Sequence, residues 1–119
     1  MSTTKTPWGS FTVLLDQVNY KVKQLIVKPH ARLSLQFHKH RSEYMTVVAG
    51  EPIIQLGEES KQMFPGMLCF IPEGKEHRVS NVSDEPVIIV EIQFGEKCEE
   101  EDIVRLSDDY GRVAPKNFL

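Results

Sequence analysis

Cysteine is scarce in this sequence. Cys69 and Cys98 are the only two in 119 residues, too few for a disulfide framework or a thiolate zinc site. Histidine is nearly as rare, with His30, His38, His40 and His77. Basic excess is missing: 14 lysines and arginines against 17 aspartates and glutamates give a net charge of −3, without the basic stripe of a nucleic-acid binder. No apolar run approaches the roughly 20 residues of a membrane span, and the opening Met1-Ser2-Thr3-Thr4-Lys5-Thr6-Pro7 has no signal-peptide hydrophobic core. The expectation is a cytoplasmic protein that engages neither nucleic acid nor membrane. Repeats, linkers and low-complexity tracts are absent as well. What is present is ordinary for a globular chain, 40% hydrophobic and 26% charged, too apolar for global disorder. The length is about four fifths of an average domain, so one domain over residues 1–119 is expected.

Glycine and proline punctuate the chain at short intervals: Gly9, Pro29, Gly50, Gly57, Pro65-Gly66, Pro72-Glu73-Gly74, Pro86 and Gly95. Between them lie β-type runs at 11–15, 20–27, 33–38, 44–49, 53–56, 67–71, 77–80 and 87–94. Tyr20-Lys21-Val22-Lys23 alternates as a half-buried strand does, whereas Val87-Ile88-Ile89-Val90 is continuous and reads as a strand covered on both faces. No stretch before residue 96 carries a helical period. Eight short strands with Gly/Pro turns predict an all-β antiparallel sandwich or barrel, its core at about residues 20–95. Residues 96–119 read as an irregular C-terminal extension, and the acidic stretch 96–102 within it as a solvated surface loop.

The chemistry concentrates in Gln36-Phe37-His38-Lys39-His40-Arg41-Ser42-Glu43. On one continuous strand, positions 36, 38 and 40 project from the same face. Imidazole and carboxylate together suit a divalent cation such as zinc, iron, manganese or cobalt. A second segment, 66–81, reads as a turn, an apolar strand, a Pro-x-Gly turn and then His77 opening the next strand, where it could complete a ligand set.

Together the two segments resemble the cupin family, a double-stranded β-helix or jelly-roll barrel. The second segment matches that family's motif G-x5-P-x-G-x2-H-x3-N at Gly66, Pro72, Gly74, His77 and Asn81. The first motif, G-x5-H-x-H-x4-E-x6-G, matches at His38, Glu43 and Gly50, with Gln36 at the first histidine position and His30 at the leading glycine. Two ligand registers follow from the resemblance. The family's glutamate spacing assigns Gln36, His38, Glu43 and His77; a simple H-x-H reading replaces Gln36 with His40. Glu43 and Gly50 anchor the first, which is preferred.

The flanks, Pro7-Trp8-Gly9-Ser10-Phe11, Lys28-Pro29-His30-Ala31-Arg32 and Asp108-Asp109-Tyr110-Gly111-Arg112, look like the cupin domain of type II mannose-6-phosphate isomerases, commonly fused behind a mannose-1-phosphate guanylyltransferase. His30, Tyr44-Met45 and Glu51-Pro52 depart from that pattern and alter the pocket wall rather than the ligands. The resemblance implies a metal-dependent aldose–ketose isomerase that converts mannose 6-phosphate to fructose 6-phosphate. Zinc is its expected ion, ahead of manganese, cobalt, iron or nickel. A non-catalytic cupin that binds a sugar or other small molecule is the alternative, and a cupin dioxygenase is a weaker third. The implied catalytic residues are His40 as acid–base group and Arg41 beside the ligands, with Glu73 and Glu76 as other bases. Arg32, Lys39, Arg78 and Arg112 are the implied contacts to the sugar phosphate. Trp8, Tyr110 and Phe118 are read as packing residues, Cys69 as buried and inert, and Cys98 as a thiol kept protonated by acidic neighbours. Cupin barrels pair through edge strands, so a homodimer is expected.

Overall fold

A computed structural model of the chain describes residues 2–96 and 98–113; Phe118 lies outside them. The described residues form eleven strands and no helix: β1 Ser2–Thr6, β2 Gly9–Asp16, β3 Tyr20–Val27, β4 Leu35–Phe37, β5 Arg41–Ala49, β6 Ile53–Leu56, β7 Glu59–Gln62, β8 Leu68–Ile71, β9 His77–Ser80, β10 Val87–Gly95 and β11 Val104–Ser107. Among them, therefore, no helix is long and apolar enough to cross a membrane. Two antiparallel sheets face each other, one in the order β1-β2-β3-β10-β5-β8 and the other β11-β4-β9-β6-β7. This is the antiparallel sandwich expected from the strand pattern, in the jelly-roll form that the cupin resemblance implies.

Three strands were not foreseen in the strand reading, and each lacks the signal it relies on. β1 and β7 are polar and almost wholly exposed, and they lie at sheet edges, so no buried face imposes a period. β11 falls in the C-terminal extension, whose other described residues are irregular, and pairs with β4 through Val104↔Phe37 and Arg105↔Gln36.

The apolar core is gathered between the sheets: Trp8 from the β1–β2 turn, Leu25 and Val27 from β3, Met45 and Val47 from β5, Val87 and Ile89 from β10, and Ile54 and Val79 from the opposite sheet. Trp8 is thus a packing residue, as expected. Along β3, β5 and β10 the inward side changes character midway. The inward residues of β3 are Lys21, Lys23, Leu25 and Val27; those of β5 are Arg41, Glu43, Met45 and Val47; those of β10 are Val87, Ile89, Glu91 and Gln93. Register aligns these halves, Lys23 and Met45 flanking Glu91, and Lys21 and Glu43 flanking Gln93. One end of the interior is therefore hydrocarbon and the other is charged. The alternation expected for Tyr20-Lys21-Val22-Lys23 is present, and it is the lysines that face inward.

Asn81, the last fixed position of the second motif, is a structural clasp. Its Nδ2 lies 3.1 Å from the carbonyl oxygens of Val27 and Lys28 and 2.8 Å from that of Glu85, while its Oδ1 accepts from the Ser83 N–H. The group is 1% exposed, so the substitution Asn81→Ala strands buried carbonyls without donors. We expect it to lower the thermal midpoint by roughly 10 °C, at about 2–3 kcal/mol for the lost contacts. A calorimetric shift below a few degrees would show that water replaces the amide. His30 has φ of 58°, the left-handed region that suits glycine, which explains why its place in the motif is ordinarily a glycine.

Candidate metal centre

β4 ends at Phe37, and the chain bends through 38–40 before β5 begins at Arg41. That bend decides which histidine enters the interior. His38 is 3% exposed and faces inward; His40 is exposed and turned into a separate surface cleft with Lys39, Glu99 and Glu101. The continuous strand that would align 36, 38 and 40 stops at Phe37, three residues short of His40. The expected role of His40, as ligand or as acid–base group, has no geometric support. Gly95 makes the bend possible: a Cβ there would sit 2.2 Å from the His40 carbonyl oxygen.

His38, Glu43 and His77 bring one ligating atom each within 4.8 Å of one another, all three buried. His38 Nε2 is 3.5 Å from Glu43 Oε2, and His77 Nε2 is 3.4 Å from Glu43 Oε1. The tautomers are set from behind. His38 Nδ1 donates to the Asp102 carbonyl at 2.6 Å, and His77 Nδ1 donates to the Lys75 carbonyl at 2.9 Å. Both Nε2 atoms are thereby aimed at the carboxylate, so two imidazole nitrogens and a carboxylate converge on one point. Glu43 Oε1 and His77 Nε2 are buried and lack any hydrogen-bond partner. A cation resolves that deficit, and imidazole nitrogen with carboxylate oxygen is the donor set of zinc and its neighbours. The residues fit a divalent ion.

Gln36 stands beside them as the register partner of His77. Its Oε1 accepts from Ser34 Oγ at 2.6 Å and its Nε2 is 3.4 Å from His38 Nε2. Turning the amide over would present Oε1 to the cluster and leave Nε2 to donate to Ser34 Oγ, since a hydroxyl accepts as readily as it donates. Arg41 also points inward: Nε lies 3.1 Å from Glu43 Oε2, NH1 donates to the Glu99 carbonyl at 2.8 Å, and NH2 is 3.4 Å from His38 Nε2.

The charges reflect this crowding. Burial would raise the Glu43 carboxyl, but His77, His38 and Arg41 outweigh it and hold the group ionised well below the usual carboxylate range. Burial lowers His38 and keeps its imidazole neutral, while at His77 the adjoining Glu43 outweighs burial and raises it. Glu91, wholly enclosed and near the Glu43 charge, is pushed up to about 7.

The cluster opens on a cavity of about 330 Å³ that Gln36, His38, Arg41, Glu43 and Glu91 line from the barrel. Ile103, Arg105 and Arg112 close it from the C-terminal extension. Here the reading of 96–102 as a solvated loop is corrected. Glu100 binds Lys23 at 2.6 Å, Asp102 is 9% exposed, and its carboxylate receives the N–H groups of Lys39 and His40. The loop folds over the charged half of the interior because buried lysine and arginine need its oxygens. Cys98, 7% exposed, has its thiol raised first of all by burial rather than by acidic neighbours, and Cys69 is only half-buried.

Of the expected phosphate contacts, only Arg112 reaches this cavity. Arg32 is exposed and holds Asp109 through two bonds of 2.7 and 2.8 Å. Arg78 faces away from His77 and donates to the Leu33 and Ser107 carbonyls. Lys39 is exposed. Glu73 and Glu76, the other expected bases, are exposed and do not line the cavity. Lys23, Glu91 and Arg105, which do, escaped the sequence reading. Tyr110 is 37% exposed, with the Arg112 guanidinium 5.5 Å from its ring.

Residues 1–108 match the family described as mannose-6-phosphate isomerase C-terminal. The chain belongs to that family. Among relatives of the mannose-6-phosphate isomerase C-terminal domain, it is 40% identical over 107 residues to the xanthan biosynthesis protein XanB of Xanthomonas campestris pv. campestris, covering 90% of this chain and 23% of that protein. It is 36% identical over 107 residues to the mannose-1-phosphate guanylyltransferase of Escherichia coli K12, covering 90% of this chain and 22% of that one. The chain thus spans less than a quarter of the length of these relatives. Among solved structures, the cupin domain of Schizosaccharomyces pombe Cnp3 superposes with a TM-score of 0.70 at 14% identity, covering 72% of this chain and 64% of that one. The fold is therefore that of the cupins, and this family member carries a His/Glu cluster of the kind that holds a metal.

Proposed function

We propose that the chain is a metal-dependent aldose–ketose isomerase of sugar phosphates, with mannose 6-phosphate to fructose 6-phosphate as its reaction. The supporting observation is the convergence of His38, Glu43 and His77, with Glu43 Oε1 and His77 Nε2 left unpartnered, beside a cavity that His38, Glu43 and a carboxyl near neutrality, Glu91, line. Membership of the mannose-6-phosphate isomerase C-terminal family supports a sugar phosphate as the substrate class. His38, Glu43 and His77, with the Gln36 amide turned toward them, would hold the ion, zinc being the first choice. When bound, it supplies Lewis-acid stabilisation of negative charge developing on substrate oxygens.

The remaining work falls to side chains. Isomerisation removes a proton from C2 of the sugar and returns one to C1, while a hydroxyl proton passes between the two oxygens. Glu91 lines the cavity, and a carboxyl titrating at about 7 can both accept and donate a proton near neutral pH. Arg41 holds Glu43 and reaches His38, so it positions the ligands and adds positive charge beside them. Trp8, Phe11, Leu25 and Leu33 supply an apolar wall that limits water.

A coupled assay tests the reading: chain loaded with one equivalent of Zn²⁺, Co²⁺ or Mn²⁺ is expected to convert mannose 6-phosphate to fructose 6-phosphate, and chelated chain is not. Metal-loaded protein that binds the sugar phosphate without turning it over would leave a non-catalytic binding cupin in its place.

A further inference from the structure

Four cationic side chains line the cavity: Lys23, Arg41, Arg105 and Arg112. Three already have a carboxylate partner. Lys23 meets Glu100 at 2.6 Å, Arg41 meets Glu43 at 3.1 Å, and Arg112 meets Asp108 at 2.7 Å. Arg105 differs. Among the described residues it makes no ion pair, and its Nε is buried without a hydrogen-bond partner. The Thr6 hydroxyl, on the opposite wall of the same cavity, is likewise buried and unpartnered. Buried donors without acceptors are rare in folded proteins because each loses its hydration and gains nothing. Two of them on one cavity call for an acceptor-rich ligand.

Register places this deficit relative to the candidate metal centre. Arg105 on β11 is paired with Gln36 on β4, and Gln36 with His77 on β9. Directly opposed residues on neighbouring strands share a face, so Arg105 extends the row of candidate ligands by one strand. Adjacent strands lie about 4.8 Å apart, which sets its backbone one strand spacing beyond Gln36. Arg112 also lines the cavity, and its like charge bears on Arg105. A dianion between the two guanidinium groups would relieve that repulsion, and the planar guanidinium fork matches phosphate oxygens in pairs.

We propose that Arg105, supported by Arg112 and the Thr6 hydroxyl, is the subsite for the phosphate monoester of a sugar phosphate. The proposal rests on the sugar-phosphate reading above and adds to it the end of the cavity at which the phosphate sits. The carbon chain of the sugar then bridges from β11 toward His38, Glu43 and His77, bringing the first two oxygens to the cluster and the phosphate to the extension. It also gives the C-terminal extension a specificity role, since a neutral sugar would leave Arg105 unsatisfied.

Titration calorimetry on the metal-loaded full chain tests this with three probes: inorganic phosphate, fructose 6-phosphate and neutral fructose. Wild type is expected to bind both phosphates and to bind fructose more weakly. Arg105→Gln should weaken phosphate binding by roughly 10- to 100-fold, the scale of a charge-assisted hydrogen bond, with Arg105→Lys recovering part of it. Metal stoichiometry should stay at the wild-type value in both. Thr6→Val, which keeps the side-chain shape, should weaken phosphate by roughly fivefold and serves as the probe should Arg105→Gln not fold. Unchanged phosphate affinity in these variants, or a loss that appears only together with loss of metal, overturns the subsite. The two proposals fail separately. Weakened phosphate binding in a chain with no turnover keeps the subsite and removes the isomerase; turnover with an unchanged KM in Arg105→Gln does the reverse.

Discussion

Replacing His77 with alanine is expected to abolish stoichiometric metal binding while leaving a folded barrel. His77 is 1% exposed, its ring is oriented by the Lys75 carbonyl, and its Nε2 has no role in the hydrogen-bond network. The ring is therefore held with Nε2 facing Glu43 at 3.4 Å. Losing a partner behind a metal ligand costs about 10- to 100-fold in affinity, and loss of the ligand itself should exceed that. The same substitution at His40 should leave occupancy unchanged, because that side chain faces the outer cleft. Elemental analysis after dialysis against zinc, with far-ultraviolet circular dichroism to verify the fold, separates the outcomes. Full occupancy in His77→Ala would rule out this centre; a loss in His40→Ala would make His40 a ligand in place of Gln36.

Glu91→Gln should lower kcat by about 10²- to 10⁴-fold, the usual contribution of a positioned acid–base group, with metal content unchanged. It should also raise stability at alkaline pH. The sign follows from proton linkage: the folded-state carboxyl titrates at about 7 against an unfolded value of 4.5, so folding binds a proton between those values. The stabilisation is complete below 4.5 and disappears as pH rises through 7. Above that, the buried charge costs on the order of 3 kcal/mol, taking about 1.36 kcal/mol per pKa unit. The amide escapes this cost. Melting curves of the metal-free proteins should thus show Glu91→Gln more stable than wild type at pH 8 and the difference closing at pH 4.5. A gap that does not vary with pH, or a kcat within tenfold of wild type, would remove Glu91 from the mechanism.

Much of the barrel could be read from residue order, because Gly/Pro turns and β-type runs are local features. The core strands β3, β6, β9 and β10 fall within a residue of their expected limits. The polar half of the interior could not be read in this way. Period-2 alternation says that Lys21 and Lys23 share a face, but only the surrounding sheet says that the face is inside, and hydrophobicity alone assigns it outward. His40 illustrates a second limit. Whether an H-x-H pair shares a face depends on where β4 stops, and that stop is governed by the Gly95 approach from 55 residues away. The extension shows a third: its acidic residues look solvated in sequence, yet Lys23–Glu100, Arg41–Glu99 and His38–Asp102 are contacts separated by 77, 58 and 64 positions.

The carbonyl that orients His38 belongs to Asp102, behind every strand of the barrel except β11 in order of synthesis. During translation the ribosome releases the ligand-bearing strands first and this carbonyl afterwards. Until residue 102 has emerged, the barrel lacks the acceptor that fixes the His38 ring from behind. A product truncated before residue 102 would therefore carry His38, Glu43 and His77 but lack the carbonyl that orients the first of them.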